Sequence, residues 1–175
     1  FSGDVVLRDT EDNIVAALNE DLLDDRVTTL VISTESTSLG KPISSSNSNS
    51  ETDGGITVTA AAASNILSKK VYLASDYDSN DFVATSDYAN ITIVDRGAAI
   101  ANFIGTASFP GASTSSDVTG VIDFVEKDGG SIVLNWQQKE AYDAIPTGIL
   151  ATSLTTTPTL AEENLSSISS SLTSI

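Results

Sequence analysis

The sequence predicts a mainly β chain, a single-domain β-sandwich or jelly-roll-like barrel with a short helix in its N-terminal region and a second helix at its C-terminus. Three observations predict it. Short runs rich in Val, Ile and Thr recur along the chain, and β-branched side chains favour the pleated, half-buried surface of a strand. Gly, Ser, Asn and Asp separate those runs at short intervals, as turns between strands require. Ser and Thr make up roughly a quarter of the residues while charged residues are 18%, against a usual charged share of about 25%, so the surface is dominated by hydroxyls.

In chain order, Gly3 to Leu7 predicts a short edge strand. Asp9, Thr10 and Asn13 then carry helix-start chemistry, and Ile14, Leu18 and Leu22 fall on one stripe of an acidic amphipathic helix over about 10–24. Arg26 to Thr34 is β-branched and predicts a strand, followed by a polar stretch without periodicity, SLGKPISSSNSNSETDGG. Ile56 to Thr59 resumes the alternation, and the small residues Ala60 to Ala63 suit either a packed strand or a helical turn. Further strands are expected at 69–74, 90–95 and 98–108. Val118 to Glu126 and Ser131 to Gln137 flank Asp-Gly-Gly with period-two apolar positions, which predicts a hairpin with Trp136 on the floor of the core.

These elements fill residues 1–150. Beyond Pro146 the composition shifts, and 151–175 reads as a Ser/Thr-rich segment that docks on its own or a neighbouring subunit. Thr159 and Glu162 have capping-box spacing, and Ala161, Leu165, Ile168, Leu172 and Ile175 form a narrow heptad-like stripe. Ser is a weak helix former, so this stripe needs a partner surface.

The chain holds no Cys, His or Met. That excludes a disulfide framework, a Cys/His zinc site, a thiolate nucleophile and an imidazole base. The start at Phe1 suits removal of a leader or pro-segment, and the lack of oxidisable sulfur suits an oxidising exterior. With 8 basic and 24 acidic residues the formal net charge is -16, a field that repels nucleic acid and anionic lipid surfaces. No apolar run reaches the roughly 18 residues of a membrane span. There is no phosphate loop or dinucleotide fingerprint and no Ser/His pair, so no enzyme is predicted.

The most site-like stretch lies between Val71 and Val94. Asp76, Asp78 and Asn80 place side-chain oxygens at loop positions one, three and five, Phe82 offers a carbonyl at seven, and Asp87 a carboxylate at twelve. This resembles the calcium loop of EF-hand and dockerin modules, and the resemblance implies calcium held by Asp76, Asp78, Asn80, Phe82 and Asp87. It departs from that loop where Asp81 stands in place of Gly and where the flanks read as strands. Asn90-Ile91-Thr92 and Asn164-Leu165-Ser166 match the glycosylation acceptor pattern.

Together these features predict a secreted structural subunit of a self-assembling surface polymer, such as a filament, pilus or surface layer. Its copies would be held by exchange of a terminal segment and by calcium, with itself as principal partner. The alternatives are a calcium-dependent module binding a glycan or cell surface, and a virion shell or tail protein.

Overall fold

The computed structural model describes residues 5–33, 55–74, 77, 89–109, 120–146 and 148–161. Along these residues run β1 (Val5–Thr10), α1 (Glu11–Asn19), β2 (Val27–Ser33), β3 (Gly55–Val58), α2 (Ala60–Ile66), β4 (Lys70–Leu73), β5 (Asn90–Asp95), α3 (Gly97–Thr106), β6 (Ile122–Glu126), β7 (Val133–Leu134), α4 (Trp136–Asp143) and β8 (Thr159–Leu160).

Every strand pairing among the described residues is parallel. β1, β2 and β4 form one sheet; β3, β5 and β6 form a second, continued by a bridge from Ile122 to Leu150; β7 and β8 form a third. Successive strands of a sheet come from successive passes of the chain, and each helix packs on the next, α1 on α2, α2 on α3 and α3 on α4. The chain therefore winds as a short solenoid, with strand columns on some sides and a helix column on another.

One local unit repeats in four of the turns: a strand runs straight into a helix through one extended N-cap residue, which in β1 is the strand's own last residue. Thr10, Thr59, Arg96 and Asn135 are those residues. The Thr10 hydroxyl accepts from the Asn13 amide and the Thr59 hydroxyl from the Ala62 amide, while Asn135 and Gln138 form a reciprocal capping box. The Ser/Thr/Asn punctuation thus caps helices, where the antiparallel reading assigned it to turns.

In-register columns build the core. Ile56, Ile91 and Ile122 stack across one sheet, as do Val58, Ile93 and Phe124, and Leu30 and Ile32 lie beside Val71 and Leu73. All are buried, and burying a side chain of this size contributes about 1.5–3 kcal/mol. α2 inserts Ala60, Ala62, Ala63 and Ile66 from the helix side, and the small alanines let it sit between α1 and α3. Thr28 is the extra residue of a bulge where the register of β1 on β2 shifts.

The β-sandwich or jelly-roll expectation is overturned by this parallel, mixed α/β winding. A strand contributed once per turn leaves the same Val/Ile/Thr run in the sequence as a strand of a sandwich. Three local corrections follow. The 98–108 strand is α3, whose Ile100, Phe103 and Ile104 are buried at helical spacing. The hairpin does not form, because β6 pairs with β5 and β7 with β8; Gly129, at φ 75°, lies in the turn that carries the chain from one sheet to the next. Trp136 is no core floor: it opens α4 and is 62% exposed.

The other elements stand close to expectation. The N-terminal strand is Val5–Thr10, the acidic helix is shortened to Glu11–Asn19, and β2, β3, β4 and β5 lie within two residues of the predicted strands. Thr159 lies in β8 rather than at a helix start.

Candidate functional site

The predicted calcium ligands Asp76, Asp78, Asn80, Phe82 and Asp87 lie outside the described residues, as does Asn164. Their flanks are placed: the segment leaves β4 at Leu73 and rejoins the second sheet at Asn90. Tyr77, within it, donates its amide to the Leu73 carbonyl, and its ring lies 5.4 Å from that of Tyr72. Among the described residues no three carboxylates gather into a group that could hold a metal.

Four of the described carboxylates have another occupation. Glu11 of α1 accepts the Thr57 amide of β3 at 2.9 Å, Asp95 of β5 accepts the Ala60 amide of α2 at 3.1 Å, and Asp123 of β6 accepts both the amide and the hydroxyl of Thr155. Glu126 takes the amides of Gly97, Asp128 and Gly130. Each of these acids reaches from one turn of the winding to a backbone N–H of the adjacent turn, so these four act as staples along the solenoid.

The electrostatics follow from that geometry. The Gly130 amide, assisted by those of Asp128 and Gly97, holds the Glu126 carboxyl below its ordinary range against the opposing effect of desolvation. Asp9 is lowered by the Asn13 side chain and the Thr10 amide. Asp24 is lowered far more strongly by the Arg26 guanidinium, which it meets in an exposed pair at 2.6 Å.

Two clefts adjoin the helix column. One, of about 110 Å³, is lined by Asp21, Asp25, Ser64, Asn65, Ser68 and Lys69, among others. The second, about 240 Å³, lies between the end of α2 and Thr106 to Ser108. Lys69 is buried at 7% exposure, and its ammonium donates to the Val27 carbonyl at 2.7 Å, tying β4 to the start of β2. Both clefts are partly open to solvent.

Asn90 is also engaged structurally. Its side-chain oxygen accepts the Val121 amide at 3.0 Å from a central strand.

Among the described residues, what stands free is the two ends of the winding. At one end β1 pairs only with β2 among the described strands, and Val5 and Val6 are about two-fifths exposed. At the other, Leu160 lies in register below the fully buried Leu134, yet is 40% exposed. Sequence reasoning placed an edge strand at the N-terminal end, over Gly3 to Leu7, but missed the end at Leu160, which exists only once the turns are stacked. Compared with family models, with curated proteins and with solved structures, the chain matches none. No helix among the described residues is long and apolar enough to cross a membrane.

Proposed function

We propose that this chain is a structural subunit of an extracellular assembly, joined to further copies of itself through the exposed edge of β1. The observation that carries the reading is that edge: a parallel strand paired on one side alone among the described strands, with two exposed valines, offers backbone donors and acceptors to an added strand. The net charge of -16 and the absence of Cys, His and Met suit an exterior setting. Calcium is retained as the proposed cation of the 76–87 loop, where it would offset like charge between copies.

Val5–Thr10 pairs with β2 of its own chain, which supports β1 as an acceptor edge rather than as the strand handed to a neighbour.

The test is sedimentation of the purified chain with calcium and with chelator, imaged in parallel by negative-stain electron microscopy, for wild type and for Val5→Lys/Val6→Lys. Polymer in wild type that the lysines abolish, with circular dichroism unchanged, supports the reading. Dissolution by chelator adds calcium to it. A persistent monomer in both conditions overturns it.

A further inference from the structure

An aspartate side chain can close a five-membered ring on the amide nitrogen of the next residue, and closure is easiest where that residue is glycine, which has no Cβ to shield the nitrogen. The chain holds two Asp-Gly steps: Asp53-Gly54, outside the described residues, and Asp128-Gly129, in the turn between β6 and β7. Asp128 and Gly129 are both exposed, and a Cβ built at Gly129 would meet nothing within 4 Å. The Asp128 carboxyl has no hydrogen-bond partner among the described residues, whereas the carboxyls of Asp9, Asp95 and Asp123 are each engaged.

The amide that would react is also held loosely. Gly129 donates to the Glu126 carbonyl at 3.3 Å, against 3.1 Å for Lys127 on the Asp95 carbonyl and 2.9 Å for Asp128 on the Glu126 carboxylate. The amides on either side of it share one oxygen: Oε2 of Glu126 accepts from both Asp128 and Gly130, while Oε1 accepts the Gly97 amide that opens α3. The spacing of these two turn amides is thus linked, through a single carboxylate, to the start of a helix in the adjoining turn of the winding.

We infer that Asp128-Gly129 is a site of spontaneous isoaspartate formation, and that the change releases the hold of Glu126 on α3. The Gly129 nitrogen attacks Cγ of the protonated Asp128 carboxyl; an N–Cγ bond forms, and the carboxyl hydroxyl leaves as water with the nitrogen's proton. Water then reopens the succinimide by breaking the nitrogen's bond to one of its two carbonyl carbons, so composition is unchanged and water is the only co-reactant. Breaking the bond to Cγ restores aspartate. Breaking the bond to the original main-chain carbonyl leaves the main chain running through Cβ and Cγ, one atom longer, with a free α-carboxylate. The amides of residues 128 and 130 can then no longer share Oε2 at their present spacing, and the carboxylate that turns to follow them takes Oε1 from Gly97. This inference stands apart from the assembly reading, since neither β1 nor calcium enters it.

The test ages the full folded chain in warm neutral buffer, beside a sample unfolded in guanidinium chloride and beside the variant Asp128→Glu, which keeps the charge but cannot close the five-membered ring. Electron-transfer fragmentation of its peptides locates isoaspartate, and hydrogen exchange follows the first amides of α3 in fresh and aged chains. Isoaspartate should accumulate at residue 128 in folded wild type and not in Asp128→Glu. Exchange at the first α3 amides should quicken in aged wild type alone, in proportion to the isoaspartate formed. Isoaspartate at residue 128 in the unfolded sample but not in the folded one overturns the site. Unchanged α3 exchange in a chain that carries the modification, or equal quickening in aged Asp128→Glu, overturns the coupling to α3.

Discussion

α3 and α4 occupy adjacent places in the helix column and are held by opposite means. α3 has no side-chain cap: Arg96 extends past it, and the Gly97 amide is taken instead by Glu126 from the adjoining turn. It buries Gly97, Ile100, Ala101, Phe103 and Ile104. α4 has a complete capping box at Asn135 and Gln138, a Lys139–Asp143 pair one turn apart and a Trp136–Glu140 bond, yet buries no residue fully. The difference teaches that inside the array a helix is fixed by its neighbours, whereas at the last described turn local chemistry must do more of the work.

The sharpest way to break the comparison is Gly97→Val. A Cβ at Gly97 would lie 2.1 Å from the Ser131 carbonyl oxygen, a backbone atom that cannot step aside without moving the start of the β7 turn. Overpacking at such a point costs about 3 kcal/mol or more, and the expected outcome is a chain that unfolds at markedly lower denaturant or fails to fold. The comparison site in α4 is Gln137→Val, on an exposed position, where a change within about 0.5 kcal/mol is expected. Equal effects at both sites would show that α3 is not wedged.

Ile104→Ala comes next. Ile104 is fully buried, and removing its methyl groups costs about 2–5 kcal/mol depending on how far the site collapses. Ala141→Gly is the partner change in α4, where only about 1 kcal/mol of helix propensity is at stake. Chemical denaturation of the pair measures both directly.

These elements also show how far the sequence could be read. The strands were legible because in-register columns of Ile and Val demand β-branched runs, and Asn90–Asp95 stands as predicted. Their partners were not, since a strand crossing once per turn and a strand in a sandwich leave the same local pattern. The segment containing α3 was misread because Gly97 to Phe109 is apolar nearly throughout, so period two and period 3.6 compete; the spacing of Ile100, Phe103 and Ile104 was the usable signal. The repeat was present in the parallel between VVLRDTEDNIVAAL and ITIVDRGAAIANFI, where Asp9 matches Asp95 and Ile14 matches Ile100. It was hidden by turns of unequal length. Of the site, only the flanks at Leu73, Tyr77 and Asn90 fall among the described residues.

A gentler perturbation sharpens the contrast through pH. The carboxyl of Glu126 is held below its usual value in the folded chain, chiefly by the Gly130 amide. In the unfolded chain that hold is gone, so the group binds its proton more readily when unfolded. Its contribution is therefore present above the ordinary glutamate range and is lost as pH falls through the lowered folded value. Glu126→Gln should reduce stability at pH 7 and narrow the difference between pH 7 and pH 3. Since Glu126 caps α3 and not α4, hydrogen exchange at the first α3 amides should quicken while exchange in α4 changes less. Parallel loss in both helices would mean the staple acts on the whole winding.

The smallest expected effect tests the caps themselves. Asn135 accepts the Gln138 amide, and Gln138 returns a side-chain oxygen to the Asn135 amide, each at 2.9 Å; losing such a cap costs about 0.5–2 kcal/mol. Arg96 makes no cap bond, so Arg96→Ala should leave α3 untouched while Asn135→Ala loosens the start of α4. Trp136 adjoins the substituted cap and reports it: its emission should shift in Asn135→Ala before global unfolding and stay fixed in Arg96→Ala. If Asn135→Ala leaves both the emission and the unfolding midpoint in place, α4 is held by something other than its cap.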